Sequence, residues 1–205
     1  MKILHLVESY LPARNGMQEV VTQLSTRLVK KGHQVTVVTS YDDRRMSETI
    51  DGVTVVGFKI AGNYSLGIKG EVASFFAFLR ANEFDIITNF AAQQWATDLV
   101  LPLLNDLTSK KVFVPTGFSG FYNPSHKVYF EKMQEWIKGY DANVFLSNDY
   151  RDINFARENN AKNIVIIPNG ADKDEFENNT VTKQEIYNRL NIPRDSYVIL
   201  TVGSH

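Results

Sequence analysis

A chain of 205 residues with 43% hydrophobic and 22% charged residues has ordinary globular composition, enough for a sizeable core but short of two full domains. Its 22 Lys and Arg balance 23 Asp and Glu, a net charge of −1 with no global attraction for nucleic acid, and the lack of cysteine excludes disulfides, zinc thiolates and a cysteine nucleophile. No apolar run approaches the ~20 residues of a membrane span, and MKILHLVES lacks a signal-peptide core, so we expect a soluble, cytoplasmic protein.

In chain order, Ile3–Val7 is an apolar run of strand length. Met17, Val20, Val21, Leu24 and Leu28 then recur at helical spacing, with Gln18, Glu19, Gln23, Arg27 and Lys30 expected on the opposite side. This helix should stop where Lys30 and Lys31 meet the negative end of the dipole and Gly32 takes a left-handed cap. Further strands are expected at Val35–Thr39, Val53–Phe58, Asp85–Asn89, Val112–Val114, Asn143–Leu146 and Ile164–Ile167. Helical segments are expected at Lys69–Ala81, Gln93–Leu107, Pro124–Lys138 and Asn148–Asn159, whereas the polar stretch Ser40–Gly52 has no stripe and reads as a loop. Short apolar runs alternating with longer helical segments predict an α/β fold: a Rossmann-like, doubly wound, mostly parallel sheet with helices on both faces. Residues 1–175 form this domain, and 176–205 hold a charged linker, a short helix Lys183–Leu190 stopped at Pro193, and an orphan strand from Tyr197.

The strongest local feature is ESYLPARNGMQEVV, where a strand gives way to a helix opening near Gly16. A glycine there lets a ligand approach the backbone, and the free N–H groups of the first turn favour a phosphate; the alternative is a plain turn using Gly16 for a positive φ. GxGxxG is absent, and Gly62-Asn-Tyr-Ser-Leu-Gly67-Ile68-Lys69 mimics a phosphate loop without the Ser or Thr that would hold magnesium. His5, His33, His126 and His205 have no metal-binding spacing, and His5, in mid-strand, reads as a core residue. VPTGFSGFYNP sets two glycines, two hydroxyls and three aromatics at a strand tip, a composition suited to the apolar faces and polar rim of a sugar, or else to plugging the sheet. The following helix, with Val128, Tyr129, Met133, Trp136 and Ile137 on one stripe, reads as core packing rather than a lipid-facing surface. Pro168-Asn169-Gly170 reads as a tight turn.

Taken together, the MKILHLVESYLP opening, NGMQEVVTQLSTRLVKKGHQVTVVT, FDII at Phe84–Ile87, VFVPTGFSG, FLSNDYRD at Phe145–Asp152, VIIPNGADKDEF and YVILTVG resemble the N-terminal half of the family 4 glycosyltransferases, retaining enzymes of the GT-B fold. The resemblance spans residues 1–205 and rests most on KKGHQVTVVT and IPNGAD in that order and spacing. It implies two Rossmann-like domains facing each other across a cleft, the N-terminal one binding the acceptor and the C-terminal one the nucleotide sugar. YVILTVG then resembles the first strand of a C-terminal donor-binding domain missing from this chain, as is the family's Glu-x7-Glu segment.

Carried over by position, Gly16 matches the second glycine of a Gly-Gly loop and Asn15 stands where the first is usual; with Met17 they form the implied donor-phosphate loop. Thr116 and Gly117 stand where His-Gly is frequent and Asn89 where a histidine often follows the fourth strand; with Phe118 and Ser119 they form the implied acceptor cleft. Asn169, Gly170 and Asp172 match a cleft-edge turn. The resemblance implies no metal and no cofactor beyond a nucleotide-diphosphate sugar co-substrate, assigns no catalytic residue, and makes the parent a hexosyltransferase acting with retention on a sugar or lipid-linked acceptor, the fragment alone being inactive. Rival readings are a non-catalytic acceptor-binding subunit of a split glycosyltransferase and half of a nucleotide-sugar epimerase. The expected partners are the sugar donor, the acceptor and the missing domain, with no nucleic acid and at most a peripheral contact with the inner membrane surface.

Overall fold

Alternate residues of the first strand point into two separate cores, as suits an interior strand of a sheet covered on both faces. Leu4 and Leu6 pack into one apolar cluster and Ile3 and Val7 into another, and all four are buried. The structure, a computed structural model, describes residues 1–171, 177 and 180–201. The chain divides into a compact unit, Met1–Asn169, and a second unit, Gly170–His205.

The first unit runs β1 (Lys2–Leu6), α1 (Gly16–Lys30), β2 (Gln34–Ser40), β3 (Thr49–Ile50), β4 (Val53–Phe58), β5 (Ile60–Asn63), β6 (Gly67–Gly70), α2 (Val72–Ala81), β7 (Ile86–Phe90), α3 (Trp95–Asp98), β8 (Lys110–Val114), α4 (Lys127–Trp136), β9 (Ala142–Phe145), α5 (Arg151–Glu158) and β10 (Ile164–Ile166). Eight strands form one sheet in the order β10-β9-β8-β7-β1-β2-β4-β3, and every pairing is parallel except β3 with β4. All seven expected strands are present within a residue or two of their expected ends.

Helix α1 begins where Asn15 caps it, its Oδ1 accepting the Gln18 N–H at 2.8 Å, and ends where Gly32 turns left-handed at φ +84°. Its buried face is rotated from the expected stripe. Gln18, Val21 and Ser25 are buried whereas Leu24 is exposed. The polar residues can face inward because each has a partner: Gln18 Nε2 donates to Thr22 Oγ1 at 2.8 Å, and Ser25 Oγ lies 2.9 Å from His5 Nδ1.

Three other expectations are corrected. The segment 60–70 is a β5–β6 hairpin, so α2 starts at Val72 and not at Lys69. The hairpin requires its glycines: a Cβ at Gly70, φ +114°, would sit 1.9 Å from the Lys59 carbonyl oxygen. The helix expected over Gln93–Leu107 shrinks to the four residues of α3 and a 3-10 turn at Leu101–Leu103, around a proline that cannot donate within a helix. The loop Ser40–Gly52 carries the short strand β3.

In the second unit, α6 (Lys183–Arg189) starts on a capping box in which Thr182 and Glu185 bond each other's backbone N–H. Residues 197–201 form no strand, because a strand requires a ladder partner and they have none among the described residues; Tyr197, Ile199 and Leu200 are more than 80% exposed. The remainder of that expected strand, 202–203, lies outside the described residues.

Candidate functional site

The chain winds outward from β1 through β2 to β4, then returns to place β7 on the other side of β1. The loops leaving β1 and β7 therefore diverge, and this switch point is where an open α/β sheet forms a crevice at its strand tips. Glu8, just past β1, ties the two sides together. Its N–H donates to Gln94 Oε1 at 3.3 Å, and its carbonyl accepts from the Ser40 N–H and Thr39 Oγ1, both at 3.0 Å. Its half-buried carboxyl is raised above the usual carboxylate range by burial.

Beside Glu8, Asn15 Nδ2 donates to Ser9 Oγ at 2.9 Å, which holds the start of α1 against the β1 loop. Gly16 is exposed with no positive φ, and a Cβ built there meets nothing within 4 Å. The fold itself makes no demand for glycine at this position, so the plain-turn explanation fails. Helix geometry leaves the N–H groups of Gly16 and Met17 outside the intrahelical ladder, while that of Gln18 goes to Asn15.

The loops after β7 and β8 are strained. Ala91 and Gln93 lie at φ +60°, Thr116 at +59°, Gly117 at +100° and Phe118 at +48°. An L residue in this region costs about 1–2 kcal/mol, and a β-branched threonine is an outlier there. Hydrogen bonds, two of them between different loops, hold the strain. The Ala91 N–H donates to the Val114 carbonyl at 2.9 Å, Thr97 Oγ1 to the Ala91 carbonyl at 2.6 Å, and the Gly120 N–H to Gln93 Oε1 at 3.0 Å. The Gly117 N–H donates to Oδ2 of the buried Asp152 at 2.8 Å. Asn15, Ser9, Glu8, Gln94, Gln93, Gly120, Gly117 and Asp152 thus follow one another along a rim of short loops stitched by side chains.

The expected site residues divide on this rim. Asn15, Gly16 and Ser119 are exposed, Met17 and Thr116 half-buried. Asn89 lies beneath the strand tips and not on the crevice: it is fully buried, its Oδ1 accepting from Tyr140 Oη at 3.2 Å. Phe118 is likewise interior, packed edge-on against Phe130 and Phe155; the polar half of the loop faces outward and the aromatic half anchors it. The tight turn expected at Pro168–Gly170 does not form, since neither Asn169 nor Gly170 is left-handed and no turn is present there; both are exposed, and Asp172 lies outside the described residues.

A buried carboxyl outside the expected site residues supports this rim. Asp98 accepts from the Tyr64 N–H at 2.8 Å through Oδ2. Burial raises its pKa to about 7, the nearby Glu8 charge adds to the rise, and the Tyr64 and Gln93 N–H groups and the Tyr129 hydroxyl oppose it. The Tyr129 hydroxyl in turn accepts from the Gln93 N–H at 3.1 Å, which connects the buried pair to the strained loop. His5 is the core residue expected: its ring packs edge-on against Phe90, and burial lowers its pKa to about 4. Among the described residues no group of three His, Asp or Glu side chains could hold a metal ion, and no helix is long and apolar enough to cross a membrane. The depressions of about 690 and 750 Å³ lie at the opposite, N-terminal ends of the strands, lined by residues such as Lys111 and Asp141 or Lys2 and Asp85. We place the site at the switch point because strain, diverging loops and an uncommitted helix start coincide there.

The family model of Glycosyltransferase Family 4 matches residues 14–175. Sucrose-phosphate synthase from Thermosynechococcus elongatus has a similar fold, with a TM-score of 0.67 at 13% identity over 95% of this chain and 53% of that chain, so the present chain spans about half the length of the synthase. A shorter chain of the same synthase gives a TM-score of 0.56 at 12% identity over 84% of this chain and 91% of that one. A search of curated proteins found no match. The family model covers most of the chain and the structural likeness covers its α/β sheet: the chain belongs to glycosyltransferase family 4 and carries that family's N-terminal, Rossmann-like domain.

Proposed function

We propose that this domain forms the acceptor side of an enzyme that transfers a hexose, with retention of configuration, from a nucleotide-diphosphate sugar to a sugar or lipid-linked acceptor. One observation carries the proposal: at the switch point, a glycine that the fold does not require opens a helix beside a rim of loops held in left-handed strain. The start of α1 offers unpaired N–H groups and a partial positive charge, which favours a diphosphate by about 0.3–1 kcal/mol in an exposed setting. That is a small share of the charge stabilisation a departing diphosphate needs, so the donor domain must supply the rest and this chain alone should be inactive. Thr116 and Ser119 present hydroxyls for the acceptor, and Glu8 stands at the tip of β1 between the two sides.

The test is sugar transfer from UDP-, GDP- and ADP-sugars by the protein joined to its donor-binding domain. Gly16→Val should lower kcat/KM by about a hundredfold, equivalent to about 2.7 kcal/mol. The melting temperature should not fall, because a Cβ at this position meets nothing. An unchanged rate would remove Gly16 from the donor site.

A further inference from the structure

We propose that Tyr122 and Tyr150 form a stacking platform for a neutral pyranose ring, an outer subsite of the acceptor; this rests on the acceptor-side reading above. Tyr122 is 76% exposed and Tyr150 48%, and they stand on the loops after β8 and β9, beside a depression of about 400 Å³. Their rings share one cation. The Arg151 guanidinium carbon lies 4.8 Å from the Tyr150 ring centre and 6.0 Å from that of Tyr122, and Nη2 donates to Tyr150 Oη at 2.7 Å. The two exposed rings are therefore braced, which lowers the ordering cost of a ligand that stacks on them.

The polar lining decides between a neutral and an anionic ligand. Asn154 and Glu158 lie one turn apart on the α5 face that also carries Arg151, and Asn154 Nδ2 donates to Asp149 Oδ1 at 2.8 Å. Two carboxylates stand against one guanidinium that already faces both rings. That balance repels a phosphate or carboxylate, while carboxylate oxygens accept from sugar hydroxyls around a ring whose C–H face covers an aromatic. Among the described residues the buried Arg151 Nε has no hydrogen-bond partner. The platform also adjoins the strained turn: a Cβ at Gly117 would lie 2.9 Å from Tyr150 Cε1, so that ring sits directly over the left-handed glycine. A saccharide on the platform would lie beside the strained turn after β8.

Saturation-transfer NMR titrations of the 205-residue chain with glucose, maltose, cellobiose, lactose and glucose 6-phosphate test this. A neutral disaccharide should bind through its ring C–H protons. Tyr122→Ala and Tyr150→Ala should each weaken it about fivefold, the size expected for one aromatic stack, and Tyr122→Phe should retain it. Glucose 6-phosphate should bind no better than glucose. Melting temperatures of both alanine variants, whose rings are outside the core, guard against unfolding. If the alanine variants bind as tightly as the parent while Ser119→Trp abolishes binding, the platform is wrong and the acceptor reading stands. If glucose 6-phosphate binds tighter than glucose, the subsite is anionic and the proposal fails. If no neutral probe binds, the platform fails, and the acceptor reading is judged separately by sugar transfer in the protein joined to a donor-binding domain.

Discussion

The two ends of the parallel strands contain left-handed backbone of different kinds. At the N-terminal ends, the residues with positive φ are Gly32, Asp51, Gly52, Asn160 and Asn163, the types that tolerate this conformation. At the C-terminal tips of β7 and β8 they are Ala91, Gln93, Thr116 and Phe118, with Gly117 between the last two. Local chemistry explains the first group and not the second. Strain that no local preference accounts for persists only where surrounding contacts over-determine it, and such positions concentrate at binding and catalytic sites. The difference separates connections that merely turn the chain from those that hold a surface in a chosen shape.

The carboxylates that anchor the two ends should break in unequal ways. Asp152 is buried and accepts the Gly117 N–H from 35 positions away, whereas the partly exposed Asp141 accepts the Lys111 N–H at 2.8 Å and pairs with Lys110 at 3.0 Å. Asp152→Ala would leave a buried amide unpaired and release the strained turn, costing about 3 kcal/mol, while water can replace Asp141 and Asp141→Ala should cost about 1 kcal/mol. Urea denaturation of both variants measures the gap. Equal losses would mean that the strained turn is held by its own packing and not by Asp152.

Two buried titrating groups beneath the tips should nearly hide each other. His5 has its folded pKa lowered to about 4 from 6.5, so its contribution to stability is complete above pH 6.5 and is lost as pH falls through 4. Asp98 has its folded pKa raised to about 7 from 3.8, so its contribution is complete below pH 3.8 and is lost as pH rises through 7. At 1.36 kcal/mol per pH unit, each amounts to about 3–4 kcal/mol over the same window and with opposite slope. Glu8, also raised, adds to the Asp98 side. The parent protein should therefore show a shallow stability profile between pH 4 and 7. Asp98→Asn should expose a curve rising with pH, and His5→Gln one falling with pH; chemical denaturation at pH 4.5, 5.5 and 6.5 reads both slopes.

The sheet was legible because strands covered on both faces read as unbroken apolar runs, and β1 to β10 of the main sheet emerge from that signal with only the two-residue β3 missing. The β5–β6 hairpin was not, since Gly62–Lys69 reads as a glycine loop and periodicity alone starts a helix at Lys69. The rotated face of α1 was hidden because Gln18 and Ser25 count as solvent residues until His5 and Thr22 are seen to pair with them. Of the site, Asn15 and Gly16 could be read from a strand giving way to a capped helix. The strained turn could not: nothing within VPTGFSG announces a left-handed threonine, whose supports at Gln93 and Asp152 are remote in sequence. Tyr150 escaped notice for the same reason, as its neighbour Gly117 lies on another loop.

The smallest effect sharpens the opening comparison most directly, because it changes φ preference and little else. Thr116→Gly removes the β-carbon that makes φ +59° unfavourable but adds freedom to the unfolded chain; the two terms differ by about 1 kcal/mol in favour of the variant. Asn160→Gly, at φ +56° on the exposed end of α5, replaces a residue that already tolerates the region, so the same two terms should cancel to within about 0.5 kcal/mol. Thermal melts of the pair should show Thr116→Gly rising by a few degrees and Asn160→Gly staying put. If the strained turn also shapes the proposed acceptor surface, the stabilised variant should bind the neutral disaccharide more weakly, the usual exchange of site geometry for stability. A Thr116→Gly protein no more stable than its parent would show that the threonine side chain makes contacts that offset its backbone strain, and the contrast between the two ends would then lie in side-chain packing and not in φ.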